Sequence, residues 1–137
     1  QYAVKVRNVH AGSHPELMEV AQLVQILENE LREHLQEEEE LVFPAIKKLS
    51  AGANKSNDFE NLDKSIQLME DEHDEVGKIL ARLREITGGY TLPSDACASY
   101  TLLYNTLNSF ENDMFTHIHL ENNILFPSAA EQLKNLN

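Results

Sequence analysis

The sequence predicts an all-α fold, an antiparallel up-and-down helical bundle forming one domain over residues 1–137, and three observations predict it. Turn-forming residues gather in three clusters, at His10–Pro15, Ser50–Asn57 and Thr87–Ser94. The long segments between them show apolar residues at helical spacing and no strand-like alternation. One pattern also occurs twice in register: His34-Leu-Gln-Glu-Glu38-Glu-Glu-Leu-Val-Phe-Pro44 returns 83 positions later as His117-Ile-His-Leu-Glu121-Asn-Asn-Ile-Leu-Phe-Pro127.

Taken in order, the chain reads as a short helix near 2–9 and long helices near 15–49, 58–87 and 95–134. Pro15 suits a first helical turn, Ser94 an N-cap, and Gly88 a stop after the third helix. Pro44 and Pro127 fall inside helical patterns and are expected to end or kink their helices at the Phe-Pro step. On the second helix Val20, Leu23, Val24, Leu27 and Leu31 form an apolar stripe that continues into His34, Glu38 and Leu41. On the last, Leu103, Leu107, Phe110 and Met114 run into His117, Glu121 and Ile124. The third carries Ile66, Met69, Val76, Leu80 and Leu83, with His73 among them.

Composition narrows the functional classes. With 23 Asp and Glu against 11 Lys and Arg, the formal net charge is -12. That balance argues against nucleic acid or an anionic membrane as partner and favours cations. The single Cys97 rules out an internal disulfide and any paired-thiolate zinc or redox motif, suits a reducing cytoplasm, and reads as a small buried residue. No apolar run approaches the roughly 18 residues of a membrane-spanning helix. Starting at Gln1 without an initiator Met, the chain reads as the C-terminal part of a longer protein.

His and Glu four positions apart on a helix share one face, so each copy of the repeat offers an imidazole and a carboxylate side by side. Depth can be checked with the helical rise of about 1.5 Å per residue. His34 lies roughly 23 Å before the end of its expected helix and His73 roughly 23 Å after the start of the next, so an antiparallel pair brings them level. For His117 the count is uneven, roughly 33 Å from the start of its helix against roughly 21 Å from His73 to the end of the third, and needs the last helix to overhang.

A lone histidine on an apolar face is commonly a hydrogen-bonded core residue, and His73 alone would be read that way. Glu38 and Glu121 change the reading, because an unpaired carboxylate in a low-dielectric interior costs several kcal/mol. A metal held by His34, Glu38, His73, His117 and Glu121 explains them together. Imidazole and carboxylate without thiolate suit iron, manganese or zinc, and paired carboxylates suit two ions. Glu39, Glu40 and His119 are expected in solvent, Glu37 at most beside the site, and Phe43 and Phe126 in the core.

The two His-x-x-x-Glu pairs, the Phe-Pro steps, the Glu72-His73-Asp74-Glu75 segment and the run from Val9-His10 to His14-Pro15-Glu16-Leu17 together resemble the hemerythrin-like domain of the iron-sulfur cluster repair di-iron proteins. The resemblance covers nearly the whole chain. It implies a non-haem di-iron centre with His34, His73 and His117 as terminal ligands, Glu38 and Glu121 as bridges, and His10 close by in a supporting role. Two departures accompany it: the family's further iron-binding His on its first helix, about two dozen residues before the His10 position, has no counterpart, and neither does its small N-terminal cysteine domain. The first helix is thus expected to be largely missing, one metal under-coordinated, and the open apolar groove covered by a second copy in a homodimer or by an upstream segment.

The resemblance implies a stress-response protein that takes part in repairing iron-sulfur clusters damaged by nitric oxide or oxidants, a repair protein or iron donor more than a turnover enzyme, acting on iron-sulfur proteins in the cytoplasm. The alternatives are a module that binds or senses dioxygen or nitric oxide at an open iron position, and a helical interaction domain that has lost its metal.

Overall fold

The computed structural model describes residues 2–53 and 59–136, and every regular element among them is helical. Helix α1 spans Tyr2–His10, α2 Glu16–Glu37, α3 Phe43–Ser50, α4 Leu62–Ile86, α5 Ala98–Leu120 and α6 Phe126–Asn135. Two π-helical turns, Glu38–Val42 and Glu121–Leu125, carry α2 into α3 and α5 into α6. Part of the second turn cluster, with Lys55 and the expected start of the third helix at residue 58, lies outside the described residues. No described helix is long and apolar enough to cross a membrane.

Pro44 and Pro127, expected to end or kink their helices, stand where the α-helical run is interrupted by a π turn and then resumes. A proline inside an α-helix lacks an N–H and presses its ring onto the carbonyl four residues back. Here each follows a widened turn, in which the N–H of Phe43 bonds the carbonyl of Glu38 and the N–H of Phe126 that of Glu121. The wider turn makes room for the ring, and the chain continues helical. It also shifts the register of the apolar face. Leu41 and Ile124, expected on the buried stripe, are 62% and 57% exposed, while Val42 is 1% exposed.

Helix α5 begins at Ala98 rather than near residue 95. The thiol of Cys97, not the hydroxyl of Ser94, accepts from the first turn, with Tyr100 N–H 3.4 Å from Sγ. A capping side chain folds back over the helix end at the surface. Cys97 is accordingly exposed, correcting the expectation of a buried residue. The stop after α4 is where it was expected: Gly88 and Gly89 take positive φ of 60° and 73°, free of the Cβ clash that penalises other residues there. Tyr90 follows at φ 63°, held by burial of its ring and by its N–H donating to Thr87 Oγ1 at 3.0 Å.

The chain forms two compact units, Gln1–Asn29 with Val76–Phe115, and Glu30–Glu75 with Thr116–Asn137. The first buries Val6, Leu17, Val20, Leu27, Leu80, Leu83 and Leu107 together with Tyr90, Tyr100 and Tyr104. The tyrosines pack edge to face, Tyr100 on Tyr104 at 4.9 Å and Tyr90 on Tyr104 at 5.9 Å between ring centroids. The second unit is centred on Val42, Ala45, Ile46, Leu49, Leu62, Ile66, Met69, Phe126 and Ala129, with α3 packed on α6. In this unit the glutamate of each repeated His-Glu pair opens a π turn and is buried.

Candidate metal centre

All five predicted ligands belong to the second unit. His34 stands on α2, Glu38 opens the first π turn, His73 is on α4, His117 near the end of α5, and Glu121 opens the second π turn. His34, Glu38, His73 and Glu121 are buried and offer ligand atoms that all lie within 4.8 Å of one another. His117 joins them through the carboxylates with its side chain 39% exposed.

The imidazoles point ring nitrogens at the carboxylates. His34 Nε2 lies 2.7 Å from Glu38 Oε1, and His117 Nε2 2.5 Å from Glu121 Oε1. His73 Nε2 is 3.4 Å from Glu121 Oε1 and 3.9 Å from Glu38 Oε1. The other oxygen of Glu38 faces His117 Nε2 at 3.7 Å. Despite these short approaches, both oxygens of Glu38, both of Glu121 and Nε2 of His117 are buried without a properly directed hydrogen bond. Buried polar atoms are nearly always satisfied, so five such atoms in one cluster mark a place where another electropositive group belongs. The donor set, imidazole nitrogen and carboxylate oxygen, suits an ion of the iron, manganese or zinc kind.

The far sides of two rings are anchored. His34 Nδ1 lies 3.0 Å from Glu72 Oε2, and His73 Nδ1 2.8 Å from Asn122 Oδ1. Both oxygens accept, so both Nδ1 atoms donate and both Nε2 atoms face the cluster. Those two Nε2 atoms are 3.1 Å apart. The ring of His73 is further braced by Phe126, stacked at 6.0 Å with planes 8° apart.

The electrostatics of these groups are mutual. Burial would lower the pKa of His73, but Glu121, Glu38 and Asn122 outweigh it and push it up to about 10. His34 is likewise raised, burial being outweighed by Glu38 and Glu72. Burial would raise Glu38, yet the imidazoles of His34 and His73 together with Glu121 hold it well below the usual carboxylate range. Glu121 is raised, by burial and by the like charge of Glu38, against the pull of His73.

His10 lies in the first unit, where its ring packs edge-on against Tyr100 at 5.0 Å and its Nε2 is buried without a partner. Glu39, Glu40 and His119 are exposed, as expected. Glu72 and Asn122 were not among the predicted site residues. Each is next to a predicted ligand in sequence, Glu72 on α4 and Asn122 in the second π turn, and is turned from that ligand's direction toward a ring on another helix. The signal is unspecific, since Asp74 and Glu39 are equally adjacent to ligands and face solvent.

Fold and donor set together define an all-α protein whose interior carries an imidazole and carboxylate cluster of the kind that takes metal ions. The chain belongs to the hemerythrin HHE cation binding domain family, whose model matches residues 2–129. It is 38% identical over 127 residues to the iron-sulfur cluster repair protein ScdA of Staphylococcus haemolyticus, which covers 91% of this chain and 54% of that protein. A probable iron-sulfur cluster repair protein of Haemophilus influenzae is 38% identical over 130 residues, 95% of this chain and 55% of its own length. The iron-sulfur cluster repair protein YtfE of an Enterobacter species is 36% identical over 127 residues, 93% and 54% respectively. The chain thus spans about half the length of the curated relatives it matches.

Proposed function

We propose that His34, Glu38, His73, His117 and Glu121 hold a non-haem di-iron centre, for which zinc or manganese can substitute, in a cytoplasmic protein that takes part in repair of iron-sulfur clusters damaged by nitric oxide or oxidative stress. The observation that carries the metal reading is the set of four buried carboxylate oxygens without hydrogen bonds, faced by ring nitrogens. Two ions rather than one are favoured by the disposition of Glu38, whose Oε1 faces His34 while its Oε2 faces His117. A carboxylate whose two oxygens face different imidazoles is suited to bridging. Bound iron would supply one-electron redox capacity and a releasable stock of the metal from which clusters are made.

The residues around it would keep the centre in register. Glu72 and Asn122 orient two imidazoles, and Phe126 closes one side with an apolar ring. Glu38 and Glu121 together bring two negative charges to offset those of the ions. The repair reading draws on the names of the relatives, all of them longer than this chain, and iron-sulfur proteins are the corresponding partners. Its test is restoration of activity to a cluster enzyme inactivated by nitric oxide, using the iron-loaded protein in its full-length form. The wild type is expected to restore it and Glu121→Ala to fail.

A second reading rests on His117. Its side chain is 39% exposed although its Nε2 is buried, so only this ring separates that end of the cluster from solvent, as an entry route for dioxygen or nitric oxide requires. Reversible dioxygen binding without any repair activity would make this the function.

A further inference from the structure

We propose that Asn122 is a positioning residue of the metal centre, fixing the tautomer of His73, and that it makes His73 a weaker donor than His34. The inference rests on the metal reading above. Asn122 is half-buried, and its side-chain oxygen is 2.8 Å from His73 Nδ1. An amide oxygen can only accept, so Nδ1 carries a proton and Nε2 is the nitrogen turned to the carboxylates, the one that gives up its proton when a metal binds. Without that anchor, nothing on the Nδ1 side would select this tautomer.

The π turn explains how one short segment does both jobs. Glu121 and Asn122 are its first two residues, and a turn with more residues than an α-helical one separates consecutive side chains by less than 100°. Glu121 therefore reaches the cluster while its neighbour reaches the ring of His73. At the matching position of the first copy stands Glu39, which is exposed. The partner of His34 comes instead from Glu72 on α4. One imidazole is thus backed by a carboxylate and the other by a neutral amide. An anionic acceptor draws the Nδ1 proton more strongly and makes the opposite nitrogen a better donor. The two copies of the repeat, alike in their ligands, differ in what stands behind them.

Zinc alone serves as the probe. The chain is titrated in competition with a chromophoric chelator, and the histidine ring nitrogens of the zinc-bound protein are followed by NMR. Asn122→Leu is expected to weaken zinc binding about 10–100-fold and to remove the His73 Nδ1–H resonance. Asn122→Asp, which puts an anionic acceptor in place of the amide, should keep the Nδ1–H resonance and bind zinc more tightly than the wild type, and Glu39→Leu should change neither. Should the leucine variant lose helix content, Asn122→Ala is read in its place. Unchanged affinity with a retained Nδ1–H resonance overturns the assignment, and so does an Asn122→Asp protein that is folded yet binds no better than the variant lacking the acceptor. A wild-type chain that takes up no zinc, or whose uptake survives Glu38→Ala, overturns the metal reading itself.

Discussion

Each unit of this chain buries carboxylates, and each handles them differently. In the first unit Glu111 is 2% exposed, and Arg84 Nε donates to its Oε2 at 2.6 Å. The guanidinium is held in turn by Asn108 Oδ1 at 2.8 Å and lies over the ring of Tyr90 at 5.2 Å. In the second unit Glu38 and Glu121 are faced by the imidazoles of His34, His73 and His117. A guanidinium is permanently protonated, so the Glu111 pair is closed and has no use for another cation. An imidazole can exchange its proton for a metal ion. Burial of a carboxylate thus marks no site by itself; what distinguishes a site from a structural pair is whether the partner can give way.

The largest effect that follows concerns metal content. Glu38→Ala is expected to lower bound iron or zinc at least about tenfold, measured by elemental analysis after equilibrium dialysis, whereas Glu111→Leu should leave it unchanged. If both variants lose metal alike, the contrast between the two carboxylates is wrong.

A second test uses protons. With no metal added, His73, pushed up to about 10, carries a proton at neutral pH. Its raised pKa contributes stability that is fully present below the ordinary histidine value near 6.5 and is lost as pH rises through about 10. Metal uptake must displace that proton. Zinc titration in a weakly buffered indicator solution should therefore show net proton release, and apparent affinity should fall about tenfold per displaced proton for each unit of acidification. Uptake without proton release would mean that the imidazoles are not where the metal goes.

The smallest effect probes the π turn on which the second unit depends. Val42→Ala should cost about 1–3 kcal/mol in urea unfolding, because a buried side chain is truncated. Leu41→Ala, one residue earlier, should stay within about 0.5 kcal/mol. Equal losses would mean that the apolar face runs through Leu41 after all, as regular α-helical spacing implies.

The helical segments and the identity of the clustered histidines and glutamates were legible because both rest on local periodicity. Residues four apart share a face whatever surrounds them, and the repeat says it twice. Ile66, Met69, His73, Val76, Leu80 and Leu83 are all buried, as their spacing on one helix demands. The fates of Leu41, Ile124, Ser94 and Cys97 were not legible in this way. Each depends on a single hydrogen bond or an extra residue in one turn, and a shift of one position moves a helical side chain by about 100°. Glu111 escaped notice for a related reason: a charge at a core position is acceptable once Arg84, 27 residues away, folds over it.

From the sequence by itself came the all-α class, the helical segments and the five candidate ligands, since hydrophobic spacing and the cost of burying an unpaired carboxylate act through short-range rules. Tertiary structure alone decided three further matters. It turned Glu72 and Asn122, among many polar neighbours, toward ring nitrogens; it left His117 half-exposed while enclosing its counterpart His34; and it brought the last helix level with His73, where counting residues along the chain had left an uneven reach. These depend on where separate helices stand relative to one another, and helical periodicity carries no information about that distance.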